Sequence, residues 1–101
     1  MKNSQDQLNL LRQIGSNKNQ SQRDLAKEMG FSLGKLNYCL KRLNEKGLVK
    51  IKNFKKNPNK LNYVYLLTPK GINEKTKLTI NFMKRKMKEY DELKKEIERK
   101  N

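Results

Sequence analysis

The sequence predicts a mainly α-helical fold with one small β-hairpin. Three observations carry this reading. Apolar residues recur at spacings of three and four in three short segments before residue 46. Between residues 49 and 67 the spacing shortens to two on either side of a turn. From Pro69 almost to the last residue, nothing after Gly71 interrupts a helical pattern.

The first helix covers residues 6–15, with Leu8, Leu11 and Ile14 on one face and Gly15 near its end. A polar connector, Ser16-Asn17-Lys18-Asn19-Gln20, follows. Ser21 opens a second helix, and Asp24 three positions later comes close to a capping box, whose usual acceptor is Glu or Gln. Leu25, Ala26 and Met29 give this helix a narrow apolar stripe, and Gly30 stops it. The third helix spans about 32–46. Ser32 is its N-cap, Leu33, Leu36, Leu40 and Leu43 form a sustained apolar face, and Gly47 ends it. Two helices joined by a short glycine-containing turn make a helix-turn-helix.

A hairpin over about residues 48–67 comes next. Val49 and Ile51 alternate with Lys50 and Lys52. In the second strand Leu61, Tyr63, Tyr65 and Leu67 share one face and Val64 and Leu66 the other, so part of it is expected to be buried on both sides. Asn57-Pro58-Asn59 supplies the turn. Thr68 and Pro69 then stand as N-cap and first residue of the last helix. Running to about residue 99, it would be roughly 45 Å long, more than a small domain can cover alone. The expected organisation is therefore a winged helix-turn-helix domain over residues 1–69 and a long C-terminal dimerisation helix over 70–101.

In a winged helix the third helix enters the major groove of DNA and the hairpin lies along the adjacent backbone. The helical face opposite the leucines carries Gly34, Tyr38, Lys41 and Glu45, with Lys35, Asn37 and Arg42 on its flanks and Ser32 at its start. Lysine can donate to guanine, asparagine can pair with adenine, and tyrosine can reach a phosphate or a thymine methyl. Two placements are locally unfavourable. Lys35 lies in the first turn, where the macrodipole disfavours a cation by about 0.3–1 kcal/mol. Gly34 costs about 1 kcal/mol relative to alanine inside a helix. A phosphate near the helix start would offset the first, and close approach to the groove would justify the second; the plainer alternative is that both are ordinary surface residues. On the hairpin, Lys50, Lys52, Lys55, Lys56 and Lys60 would meet phosphates and release counterions. Cys39 flanks the leucine face and reads as a small buried hydrophobe, and Tyr63 and Tyr65 as core or subunit contacts.

The last helix carries a second pattern. Thr76, Met83, Tyr90 and Ile97 are seven apart; Ile72, Thr79 and Leu93 accompany them, Lys86 breaks that column, and Ile80 and Met87 widen the seam. This is the signature of a coiled-coil or bundle contact, and a homodimer is expected through it. The competing reading is that the helix packs on its own domain as far as Met83 and continues as a solvated charged tail.

Composition bounds the functional classes. Apolar residues make up 34% of the 101-residue chain, which implies a thin core. The net charge is +15, an excess that points to a polyanion. Residues 1–67 carry fourteen Lys and Arg against four Asp and Glu, and residues 68–101 eleven against six, so the expected DNA-binding part is the more basic. "KRKMK" at 84–88 is a further basic cluster that either touches DNA or interrupts the seam. The longest apolar run, Tyr63 to Leu67, is far short of a membrane span, the N-terminus lacks a signal-peptide core, and a single cysteine suits a reducing compartment. A cytoplasmic protein without membrane contact is expected. No histidine, paired metal ligands or phosphate-binding glycine loop is present, so neither an enzyme, a metal nor a cofactor is expected.

"LAKEMGFSLGKLNYCLKRLNEKGLVKIKNF" followed by "YLLTPKGINEK" resembles MarR-type winged-helix regulators, and more narrowly the small MarR-family regulators called EPS-associated transcriptional regulators. The resemblance covers roughly residues 8–98. It implies a dimeric DNA-binding transcription regulator associated with exopolysaccharide genes. The chain is shorter than larger members and has no extended helix before residue 6, so no small-molecule effector is expected. Two copies would place Gly34–Arg42 in successive major grooves, about 34–36 Å apart. The alternative is an RNA-associated or protein-docking winged-helix module using the same charge.

Overall fold

The computed structural model of the protein describes residues 4–16, 21–57 and 60–100, and the side chains of all of these except 53–64 and 100. The elements are α1 (Ser4–Gly15), α2 (Gln22–Met29), α3 (Leu33–Glu45), β1 (Val49–Asn57), β2 (Lys60–Leu67) and α4 (Pro69–Lys100). The fold is thus mainly helical with one antiparallel two-stranded sheet and a long C-terminal helix, the architecture the sequence predicts.

Local chemistry sets the helix ends. Ser21 and Asp24 form a complete capping box: Asp24 N–H donates to Ser21 Oγ at 3.1 Å and Ser21 N–H to Asp24 Oδ2 at 3.4 Å. The shorter aspartate therefore serves where glutamate is usual. Helices α2 and α3 then stop in the same way. Gly30 (φ 69°) and Gly47 (φ 74°) take the left-handed conformation. Their N–H groups donate to Lys27 O and Asn44 O, and the next residues, Phe31 and Leu48, donate back to Ala26 O and Leu43 O at 2.9 Å. This paired closure satisfies the last carbonyls and folds Phe31 and Leu48 back onto the core.

The core gathers Leu10, Leu11, Ile14, Leu25, Ala26, Leu36, Cys39, Leu40, Leu43, Leu48 and Val49, with Met29, Phe31, Tyr65, Leu67 and Leu78 half-buried against it. Two points differ from the periodic reading. Leu10 is fully buried beside Leu11, because α1 lies against both α4 and β2 and so buries more than one stripe. Leu33, expected on the inner face of the third helix, is 44% exposed. It is the first residue of α3 and, at 100° per residue, stands at the edge of the arc that Leu36, Cys39, Leu40 and Leu43 bury.

The strands pair with Val49 opposite Leu67 and Ile51 opposite Tyr65, and the register shifts between Lys55 and Asn57. Tyr65, Leu66 and Leu67 are each half-buried, so the last part of β2 has partial cover on both faces rather than full burial. The predicted turn at Asn57-Pro58-Asn59 falls on Pro58 and Asn59, outside the described residues.

One junction ties hairpin and helices together. Thr68 N–H donates to Leu48 O at 3.0 Å, its hydroxyl donates to Gly47 O at 2.6 Å, and the same oxygen accepts from Gly71 N–H at 2.9 Å as the N-cap of α4. Gly71 is buried, and a Cβ there would lie 2.0 Å from Leu48 O. Only glycine lets α4 start this close to the backbone of the α3–β1 junction. No described helix is long and apolar enough to cross a membrane.

Because the neighbour of Gly71 is backbone, Gly71→Ala must displace the start of α4. We expect it to lower the urea-unfolding free energy by about 3 kcal/mol, while Lys70→Ala, on the exposed preceding position, changes it by no more than about 0.5 kcal/mol.

Candidate nucleic-acid interface

Helix α3 is anchored from within and open from without. Leu36, Cys39, Leu40 and Leu43 are buried, which fixes its roll on the core. Gly34, Tyr38, Lys41 and Glu45 face solvent, as the helical spacing predicts, and Tyr38 is 56% exposed despite its size. Ser32 is exposed and its Oγ accepts the Lys35 N–H at 3.1 Å, which leaves other first-turn N–H groups pointing out of the helix start. Leu33 joins this outer surface. The spacing of the leucines did not reveal it, since Leu33 completes the repeat in sequence but stands at the edge of the buried arc of α3 and is 44% exposed.

Three flanking side chains have partners within the chain. Lys35 Nζ lies 3.2 Å from Asp6 Oδ2 and 4.0 Å from the centre of the Phe31 ring. The unfavourable cation in the first turn is therefore offset by a carboxylate from α1, and its position needs no phosphate to explain it. Asn37 Oδ1 accepts a hydrogen bond from Gln22 Nε2, so the first turn of α2 orients this amide; no sequence pattern connects the two residues. Arg42 is half-buried, with Nη1 3.5 Å from Glu45 Oε2.

Glycine 34 behaves differently. A Cβ added there meets nothing within 4 Å, and its φ is not positive. Neither packing nor backbone geometry inside the chain calls for a glycine at this position.

Beside α3, Lys50 and Lys52 are exposed at the base of the hairpin. Lys55, Lys56 and Lys60 lie on β1 and β2 at its far end, and their side chains are outside those described. The structure thus brings the outer face of α3 and the basic strand onto consecutive elements. Cys39 is buried, and burial pushes its thiol pKa up, with Lys35 opposing the shift in part. It is an unreactive packing residue. Among the described residues no group of three or more His, Cys, Asp and Glu comes together to hold a metal.

On α4, the face toward the domain is formed by Gly71, Leu78 and Phe82, which are buried or half-buried. Ile72, Ile80, Met83, Met87, Tyr90, Leu93 and Ile97 are all exposed, from 47% at Ile80 to 66% at Tyr90, and Thr76 is exposed with them. A cleft of about 360 Å³ opens between α1 and α4, lined by Ser4, Leu8, Leu78, Asn81, Lys84 and Arg85.

Residues 7–50 match a family model described as winged helix-turn-helix DNA-binding. Among solved structures, the chain is similar to a point mutant of MepR from Staphylococcus aureus (TM-score 0.70, 19% identity, 86% of this chain and 64% of that one). It is also similar to MarR of Staphylococcus aureus in complex with salicylate and kanamycin (TM-score 0.67, 19% identity, 85% and 56%). A third similar structure is the MepR–DNA complex from Staphylococcus aureus (TM-score 0.68, 19% identity, 81% and 58%). At these identities the likeness establishes the fold alone. The chain spans less than two thirds of the length of these structures. No curated protein matches it in sequence.

Since no internal contact requires Gly34, Gly34→Ala should raise stability by about 0.5–1 kcal/mol in urea unfolding. If a groove approaches this backbone, the same substitution should weaken duplex binding in a fluorescence-anisotropy titration, so that stability and affinity move in opposite directions.

Proposed function

We propose that the protein is a sequence-specific double-stranded DNA-binding transcription regulator of the MarR type that acts in the cytoplasm as a homodimer. The observation that carries this reading is the free outer face of α3, with Ser32, Leu33, Gly34, Asn37, Tyr38 and Lys41 exposed, inside the segment that matches a winged helix-turn-helix DNA-binding model. In the proposed complex Asn37, held by Gln22, and Lys41 read base edges in the major groove. Tyr38 and Leu33 offer apolar surface to thymine methyl groups. The half-exposed Lys35 exchanges Asp6 for a phosphate on binding, and Lys50, Lys52, Lys55, Lys56 and Lys60 follow the backbone along the hairpin.

A net charge of +15 makes this association strongly dependent on salt. The exposed stripe of α4 supports the homodimer, since seven large apolar side chains in solvent on one helix are the pattern of an unmade contact. The finer reading, a small regulator of exopolysaccharide genes, rests on the resemblance of "SLGKLNYCLKRLNEKGLVKIKNF" and "YLLTPKG" to that group.

Selection of bound duplexes from a random pool tests the reading: it should enrich a two-fold symmetric motif, and enrichment of single-stranded RNA over duplex DNA at equal salt would overturn it. Lys55→Ala with Lys56→Ala should weaken binding to all duplexes alike and lower the slope of log affinity against log salt by roughly 1–2. Asn37→Ala should instead relax the preferred sequence, at a cost of about 1–3 kcal/mol on the cognate site.

A further inference from the structure

The unpartnered side of α4 carries charge in an order that selects one way of pairing two copies. Met83, Tyr90 and Ile97 alternate at spacings of three and four with Ile80, Met87 and Lys94, and of these the apolar residues are all exposed. Beside this seam, on the side where Lys84 borders the α1–α4 cleft, runs a column at intervals of seven: Lys77, Lys84, Asp91 and Glu98. All four side chains are exposed. Among the described residues the ion pair on α4 is Lys86–Glu89 at 3.2 Å, so this column is left without salt bridges of its own. The opposite flank turns toward the domain, where Leu78 and Phe82 are half-buried.

Two bases followed by two acids in a single flanking column is a polarity. In an antiparallel pair, columns of this kind face each other in reverse order. Lys77 then meets the partner's Glu98 and Lys84 meets the partner's Asp91, and by symmetry each contact occurs twice. The apolar layers fall into place in the same register: Met87 stacks on the partner's Tyr90 and Ile80 on the partner's Ile97. Lys94, the one charged residue of the seam, lies against the partner's Met83, along which its aliphatic stem can pack. In a parallel pair, Lys94 would meet the partner's Lys94 inside the seam, and the basic clusters at 84–88 would lie side by side. Only Lys86 and Asp91 would then make complementary flanking contacts.

We infer that two copies pair through α4 in antiparallel orientation, centred between Met87 and Tyr90, with Lys84–Asp91 and Lys77–Glu98 as reciprocal ion pairs between subunits. The inference rests on the homodimer reading above and adds its geometry. It sets the two DNA-binding ends at opposite ends of the paired helices.

The test has two parts: charge reversal, followed by sedimentation equilibrium without DNA, and a distance between spin labels. Lys84→Glu turns two attractive contacts repulsive and should raise the dimer dissociation constant about tenfold or more, and Asp91→Lys should do the same. The double variant Lys84→Glu with Asp91→Lys should return it to within about threefold of the original. In a parallel pair, Lys84→Glu alone would change little and the double variant would not recover. Spin labels at Arg99→Cys, in a Cys39→Ala background, should lie about 30 Å apart in the antiparallel dimer. A separation nearer 10–15 Å, or failure of the double variant to recover, would overturn the orientation while leaving the dimer intact. A chain that remains monomeric at millimolar concentration would overturn the dimer itself.

Discussion

The structure depends on the crossing of Gly71 against the carbonyl of Leu48. At that point three parts of the chain are joined by main-chain groups and one side chain, the Thr68 hydroxyl. The closing turn of α3 offers the Gly47 and Leu48 carbonyls, the end of β2 offers Thr68, and the start of α4 offers Gly71 N–H. Thr68 closes the base of the hairpin and caps the long helix with a single side chain. Without a Cβ at residue 71, α4 leaves the domain at a fixed angle. The contact holds the base of the hairpin, the end of α3 and the start of α4 together, and packing of α4 on α1 and β2 adds to it. The short run Thr68-Pro69-Lys70-Gly71 thereby has a physical role. Threonine bridges, proline begins a helix without needing a donor, and glycine permits the approach.

What could be read from the residues divides along a physical line. Helix ends were legible because capping is local: Ser21 with Asp24, Gly30, Ser32 and Gly47 each act within a few positions of themselves. The inner face of α3 was legible at Leu36, Leu40 and Leu43 because one period selects one face. Leu33 was not, since it continues the leucine repeat but stands at the edge of the arc that Leu36, Cys39, Leu40 and Leu43 bury. Leu10 was missed for the opposite reason: α1 is enclosed on more than one side, and an amphipathic pattern reports only a single stripe. The Lys35–Asp6 pair and the Gln22–Asn37 hydrogen bond lie 29 and 15 positions apart. Contacts of that kind depend on how helices are laid against one another, which no window along the chain contains.

These contacts change the argument about DNA more than the fold does. By sequence alone Lys35 is a cation in the first turn of a helix, either offset by an external anion or an ordinary surface residue. In the folded chain it already has an anion, Asp6, and an aromatic ring besides. The case for DNA accordingly shifts to positions for which the interior gives no reason: a glycine with empty space around it, a tyrosine more than half exposed on a helix otherwise well anchored, and a basic strand beside them. Unexplained exposure at fixed positions is stronger ground than charge, because a lysine-rich chain places cations on every surface.

The remaining feature is the shape of the molecule. A compact chain of this length has a radius of gyration of roughly 13 Å, whereas this one has 17.6 Å, with a longest dimension of 68 Å. The difference is α4, whose 32 residues run well past the core. Isolated, its outer half would hold an apolar stripe in water and draw no tertiary support, on a domain whose apolar content is already low. Under the proposed pairing the same stripe becomes a second core, and a cost to the monomer becomes a source of stability for the dimer. Folding of the outer helix, association of subunits and bivalent engagement of DNA then share one equilibrium. A ligand that binds only the paired state stabilises the helix by mass action, so duplex DNA would consolidate the architecture that presents α3 to it.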